Sequence, residues 1–104
     1  MKKFKVIISE TARNDMLAIL NYCCLSYSLS YALKVYSLLL QNIYSLSIFP
    51  NSNPLYSVTL TSLLRKRVVL KKYLIVFKVI ANSVIILGVY DGRRNISPNN
   101  FMSN

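Results

Sequence analysis

Histidine is absent from this 104-residue chain, and glycine, cysteine and acidic residues are nearly so: two Gly, two Cys and three Asp plus Glu. Each scarcity removes a class of chemistry. Without His, no Ser-His-Asp or Cys-His nucleophile and no His-ligated zinc site can be built. Glu10, Asp15 and Asp91 are too few and too scattered in sequence for a carboxylate metal cluster, and Gly88 and Gly92 alone cannot make a Gly-rich phosphate loop. The expectation is therefore a site without metal or cofactor, built from Lys, Arg, Tyr and backbone. Cys23 and Cys24 are sequence neighbours, a poor geometry for bridging each other and too small a set for a disulfide framework. A reducing, cytoplasmic setting fits them, with both thiols expected in or near the core.

A membrane role is disfavoured on similar grounds. Residues 35–64 carry no formal charge, yet Gln41, Asn42, Pro50, Asn51, Asn53 and Pro54 interrupt them, whereas a spanning helix needs about 20 mostly apolar residues in a row. The apolar run from Phe4 ends at Ser9-Glu10, too short for a signal peptide.

What is abundant is positive charge on an apolar chain. Thirteen Lys plus Arg give a formal net charge of +10 and a pI near 9.9, while 54% of residues are hydrophobic. The chain is thus a single packed domain, residues 1–104, and not a disordered basic tail. A polyanion, an acidic protein or an anionic membrane surface is the natural partner for such a charge.

Phe4, Val6 and Ile8 alternate with Lys3, Lys5 and Ile7, which predicts a first strand. Ser9 is a helix N-cap with Glu10 in the first turn, and Ala12, Met16, Ile19, Leu20, Cys23 and Cys24 recur at helical spacing. Ser28 caps a second helix whose stripe runs Leu29, Ala32, Leu33, Tyr36, Leu39, Leu40, Ile43, Leu46 and Phe49 and stops at Pro50. So short a break makes the pair a helical hairpin. Asn51 to Pro54 is a turn cluster, and residues 55–64 take no assignment. Three β-rich runs follow, 65–70, 73–80 and 83–90, with Asn82 in a tight turn between the last two. The third run is apolar on both faces, as in a central strand covered by helices. The expected fold is α+β, ordered β-α-α-β-β-β, a helical hairpin on a small, mainly antiparallel twisted sheet.

The charge is not evenly spread. Arg65, Lys66, Arg67, Lys71, Lys72, Lys78, Arg93 and Arg94 fall within residues 65–94 against Asp91 alone. On a strand Arg65 and Arg67 point to one face and Lys66 to the other. With Arg93-Arg94 following the last strand, a concave anion site at strand ends is expected, and Tyr56, Tyr73, Tyr90 and Phe101 lie near it in sequence as stacking surfaces.

Four segments, Phe-Lys-Val-Ile-Ile-Ser (4–9), Ser-Leu-Ser-Ile-Phe-Pro (45–50), Lys-Tyr-Leu-Ile-Val-Phe-Lys-Val (72–79) and Val-Tyr-Asp-Gly-Arg-Arg-Asn-Ile (89–96), together resemble the RelE/ParE superfamily of small toxins from bacterial type II toxin–antitoxin systems. The resemblance implies a growth-arresting toxin neutralised by a cognate acidic antitoxin. One branch of that superfamily is a ribosome-dependent endoribonuclease, an mRNA interferase that drives 2′-OH attack on the adjacent phosphate without a metal; another inhibits DNA gyrase without enzymatic chemistry. Translation inhibition by mRNA cleavage on the ribosome is the first expectation for this chain; gyrase inhibition, or a relative that has lost activity, is the alternative. Carried over on the RNA-cleaving reading, Arg67, Arg93, Arg94, Lys72 and Tyr90 are the catalytic candidates, and Arg65, Lys66, Lys71, Lys78 and Phe101 the nucleic-acid contacts. Asp91 stands where many relatives have His, Leu74 where the RNA-cleaving type has Arg, and Phe101 where it has a C-terminal Tyr, so proton transfer falls to Tyr90 or Lys72.

Overall fold

The computed structural model describes residues 3–58 and 63–92. Its elements run β1 (Lys5–Ile8), α1 (Glu10–Ser26), α2 (Leu29–Ser45), a 3-10 turn (Pro50–Ser52), β2 (Leu55–Val58), β3 (Leu63–Val69), β4 (Tyr73–Ile80) and β5 (Ser83–Asp91). The α+β order matches the expectation, with one addition: part of the unassigned stretch forms β2. The five strands make one sheet in the order β1-β5-β4-β3-β2, antiparallel except for β1, which runs parallel to β5.

Both helices begin where the sequence places their caps. The Ser9 hydroxyl accepts from the Ala12 N–H at 3.0 Å, and the Ser28 hydroxyl from the Tyr31 N–H at 3.1 Å. Only Tyr27 and Ser28 separate the helices, so α2 folds back against α1. α1 then packs on β5 and α2 on β3. Neither helix is long and apolar enough to cross a membrane.

One sheet face meets the hairpin. Ala12, Met16 and Cys23 of α1, Ala32, Val35, Leu39 and Ile43 of α2, and Val69, Tyr73, Ile75, Phe77, Val84, Ile86 and Val89 of the sheet close a single core, with Phe4, Val6 and Ile8 packed against it. Truncating a fully buried member such as Leu39 or Phe77 to Ala costs about 3–5 kcal/mol.

Several expectations shift. α2 ends at Ser45, not at Pro50, because the following residues unwind into turns that bring the Ser47 carbonyl to the Phe4 N–H at 2.8 Å. Leu29, Leu33 and Phe49 of the predicted stripe are exposed. Cys23 is buried but Cys24 is exposed, one position further round the helix. β5 is interior to the sheet, and among the described residues helices cover one of its faces only.

Candidate functional site

Strand pairing fixes the faces of the basic residues. Tyr73, Ile75 and Phe77 of β4 face the helices; opposite them in register stand Val69, Arg67 and Arg65 of β3. Arg65 and Arg67 therefore lie on the helix side of the sheet. Lys66 pairs with Val76, Val68 with Leu74, Leu74 with Tyr90 and Lys78 with Ile85, which puts Lys66, Lys78 and Tyr90 on the opposite face.

Arg65 and Arg67 are held beside the C-terminal part of α2. Arg65 Nη1 donates to the Asn53 carbonyl at 2.7 Å; Arg67 donates from Nε to Asn42 Oδ1 at 3.2 Å and from Nη1 to Asn53 Oδ1 at 3.4 Å. Asn53 is in turn fixed by bonding back to the Pro50 carbonyl through both its N–H groups. Among the described residues all these acceptors are neutral, so none of them offsets the charge of either guanidinium group. Asn42 and Asn53 were not singled out in the sequence; nothing in its pattern ties them to β3.

Lys72 is elsewhere. It sits at the β3–β4 turn, where its Nζ donates to the Tyr31 hydroxyl at 2.9 Å and lies 5.5 Å from the Tyr31 ring centroid and 5.6 Å from that of Tyr73. Tyr73 is buried with its phenol 3.5 Å from Cys23 Sγ; burial first, then Cys23, raises its pKa well above the usual tyrosine value. Gly92 closes this corner: its N–H donates to the Lys72 carbonyl, and a Cβ there would come within 2.9 Å of that oxygen. Lys71 is exposed on the same turn. Arg93, Arg94 and Phe101 lie outside the described residues, so the expected convergence of Arg93-Arg94 with β3 is not among the structural findings.

The described members of the expected catalytic set, Arg67, Lys72 and Tyr90, stand apart from one another. Arg67 reaches Asn42 and Lys72 reaches Tyr31, eleven positions apart on α2, or about 16 Å along its axis. Tyr90 is on the other face of the sheet, its ring lying over Gly88, where any Cβ would run into it. Burial, the charge of Asp15 and nearby Tyr56 push the Tyr90 phenol up to about 12. At neutral pH only about one such phenol in 10⁵ is ionised, which makes it a poor general base. Among the described residues no group of three His, Cys, Asp or Glu side chains is placed to hold a metal ion.

Comparison with known proteins agrees with the fold. Residues 6–96 match the family model described as ParE toxin of the parDE type II toxin–antitoxin system. A chromosomal ParDE toxin–antitoxin system from P. aeruginosa shares the fold at 16% identity, with 86% of this chain and 96% of that chain covered and a TM-score of 0.74. The RelBE2 toxin–antitoxin complex from Mycobacterium tuberculosis does so at 18% identity, 88% and 93% coverage and a TM-score of 0.60. No curated protein sequence matches the chain. The family match spans both the helical hairpin and all five strands of the sheet, apart from the first residue of β1, and on that breadth the chain belongs to the ParE toxin family of type II toxin–antitoxin systems.

Proposed function

We propose that this toxin acts by binding, with DNA gyrase as its target, and does not cut RNA. The observation that supports this reading is the separation of Arg67, Lys72 and Tyr90. Phosphodiester cleavage by 2′-OH attack needs a base, a charge-stabilising cation and an acid around one phosphate, each within hydrogen-bond reach of its atom. Here the α2 residues that hold Arg67 and Lys72, Asn42 and Tyr31, stand about 16 Å apart along the helix axis, and Tyr90 lies on the other face of the sheet. Cations in those positions bind anionic or polar surfaces well, and among the described residues they complete no such triad. The cognate antitoxin is an acidic protein on this reading, matched to a chain of net charge +10.

Two assays separate the branches. Purified toxin is added to gyrase with relaxed plasmid, and separately to a translating extract whose message is read by primer extension. The proposal expects lost supercoiling with intact message. New 5′ ends in the message together with normal supercoiling would overturn it in favour of ribosome-dependent mRNA cleavage; no effect in either assay would mark a chain that has lost activity.

A further inference from the structure

One turn of the chain is held against its own preference while keeping an aromatic ring in solvent. Phe49 stands between α2 and the 3-10 turn at φ 50 and ψ 49, a left-handed backbone that a residue with a Cβ adopts only at a cost, and it is 64% exposed. The conformation is fixed on its C-terminal side. The Phe49 carbonyl accepts from the N–H of Ser52 at 3.1 Å and from its hydroxyl at 2.8 Å, and the next residue, Pro50, is buried. Ile48, just before it, is 39% exposed. Neither the strain nor the bare ring helps this fold, and backbone strain of this kind collects at binding sites.

Positive charge is fixed at the root of the same turn. Asn53 bonds back to the Pro50 carbonyl through its backbone N–H at 3.3 Å and its side-chain amide at 3.0 Å, and its own carbonyl accepts from Arg65 Nη1 at 2.7 Å. Arg67 steadies that asparagine by donating to its Oδ1 at 3.4 Å. All three acidic side chains lie elsewhere: Glu10 and Asp15 belong to α1, which packs on β5, and Asp91 ends β5 itself, two strands from β3.

We propose that the Ile48-Phe49-Pro50 turn is a wedge for duplex DNA, with the Phe49 ring entering between two base pairs and Arg65 set on a flanking phosphate. Proteins that kink a duplex push Phe, Leu, Ile, Met or Pro side chains into a base step, and phosphate contacts beside the step offset the cost of unstacking. A turn already fixed in place suits that task, because it loses little further freedom on insertion. Stacked bases and phosphates alternate at every step of a duplex, so a ring with a cation at its root meets both whatever the sequence. The proposal rests on the reading of this toxin as a gyrase inhibitor and deepens it: the DNA that gyrase holds becomes part of what the toxin grips. Two other occupants fit worse. A second copy would bring a further +10 against the same arginine, and a protein partner would need a pocket made for this one ring.

The probe is a duplex of about 20 base pairs, fluorescein-labelled at one end and carrying 2-aminopurine at a central, easily opened thymine–adenine step, titrated with the full chain. Anisotropy reads binding, and 2-aminopurine emission reads unstacking. Saturable binding with a several-fold rise in emission is expected. Phe49→Asn removes the ring and supplies a residue that tolerates left-handed backbone, so the fold is kept; it should abolish the emission rise and weaken binding about tenfold or more. Phe49→Tyr should retain both signals. Arg65→Gln should weaken binding and lower the slope of log affinity against log salt by about one. Absence of binding, binding without an emission change, or a Phe49→Asn variant that behaves as the native chain would each overturn the proposal. So would a Phe49→Asn variant that keeps the DNA response and loses binding to gyrase alone, the result expected of a protein pocket. Unstacking by a chain that leaves supercoiling intact would overturn the gyrase reading, whereas inhibited supercoiling without unstacking would overturn the wedge.

Discussion

Asp15 does for β5 what a neighbouring strand would do. β1 pairs with β5 only as far as Ile8 opposite Ile86, and beyond that point side chains take over: the Ser9 hydroxyl donates to the Leu87 carbonyl at 3.4 Å and the Val89 N–H donates to Asp15 Oδ2 at 3.1 Å. The carboxylate is partly desolvated, and that burial raises its pKa above 3.8 more than the Val89 hydrogen bond lowers it. The sign follows directly. A carboxylate whose folded pKa is raised contributes stability that is full below 3.8 and declines as pH rises through the raised value. Asp15→Asn keeps an acceptor for Val89 and loses the charge, so at pH 7 it should be at least as stable as the native chain and should flatten the pH dependence. Asp15→Ala leaves the Val89 N–H without an acceptor and should cost about 1–3 kcal/mol. Urea unfolding of the three proteins at pH 4 and pH 7 checks both statements.

Arg67 poses a different question at the same scale, because its fixed position has a structural explanation. Its two bonds join Asn42 of α2 to Asn53 beyond the 3-10 turn across β3. Asn42→Ala should lower stability by about 1 kcal/mol in chemical denaturation, with the gyrase inhibition proposed above retained once the protein is folded. The facing of Arg65 and Arg67 was legible in the sequence from strand alternation alone. The partners were not, since Asn42 and Asn53 reach β3 only through the tertiary fold.

Among the elements, those closed by local chemistry were the readable ones. Ser9 and Ser28 cap the helices through their own hydroxyls, and the hydrophobic spacing of α1 and α2 follows from helix geometry. The end of α2 was misread because Pro50 is the visible stop signal, whereas the actual stop is set by the Phe4 to Ser47 contact, which no local pattern encodes. β2 escaped for a related reason: its residues acquire strand character only by pairing with β3. The turn between β3 and β4 is an element held against its own preferences. Leu70 and Lys71 sit at φ 56 and φ 57, with the Lys72 N–H closing on the Val69 carbonyl at 3.2 Å. Glycine takes this conformation without the Cβ penalty. Lys71→Gly, at an exposed side chain, should therefore gain about 0.5–1 kcal/mol, visible as a rise of a few degrees in Tm.

At the scale of the whole molecule, the charge imbalance governs how the protein responds to its solution. Most proteins lose stability in acid because many paired carboxylates must be protonated. Here protonating all three acidic side chains adds only three charges to a surface already at +10, and at Asp15 protonation relieves a desolvation cost. Self-repulsion among the cations is nearly constant from pH 7 down to pH 4, while salt screens it at any of these values. Thermal unfolding should accordingly show a Tm that is flat or slightly higher at pH 4 than at pH 7. At fixed pH the Tm should climb as sodium chloride rises from about 0.02 to 0.3 M, where the screening length falls from about 20 to 6 Å. A Tm that drops steeply on acidification, or that ignores salt, would show that carboxylate pairing holds this fold together, contrary to an account built on a neutral core, capped helices and arginines bonded to amides.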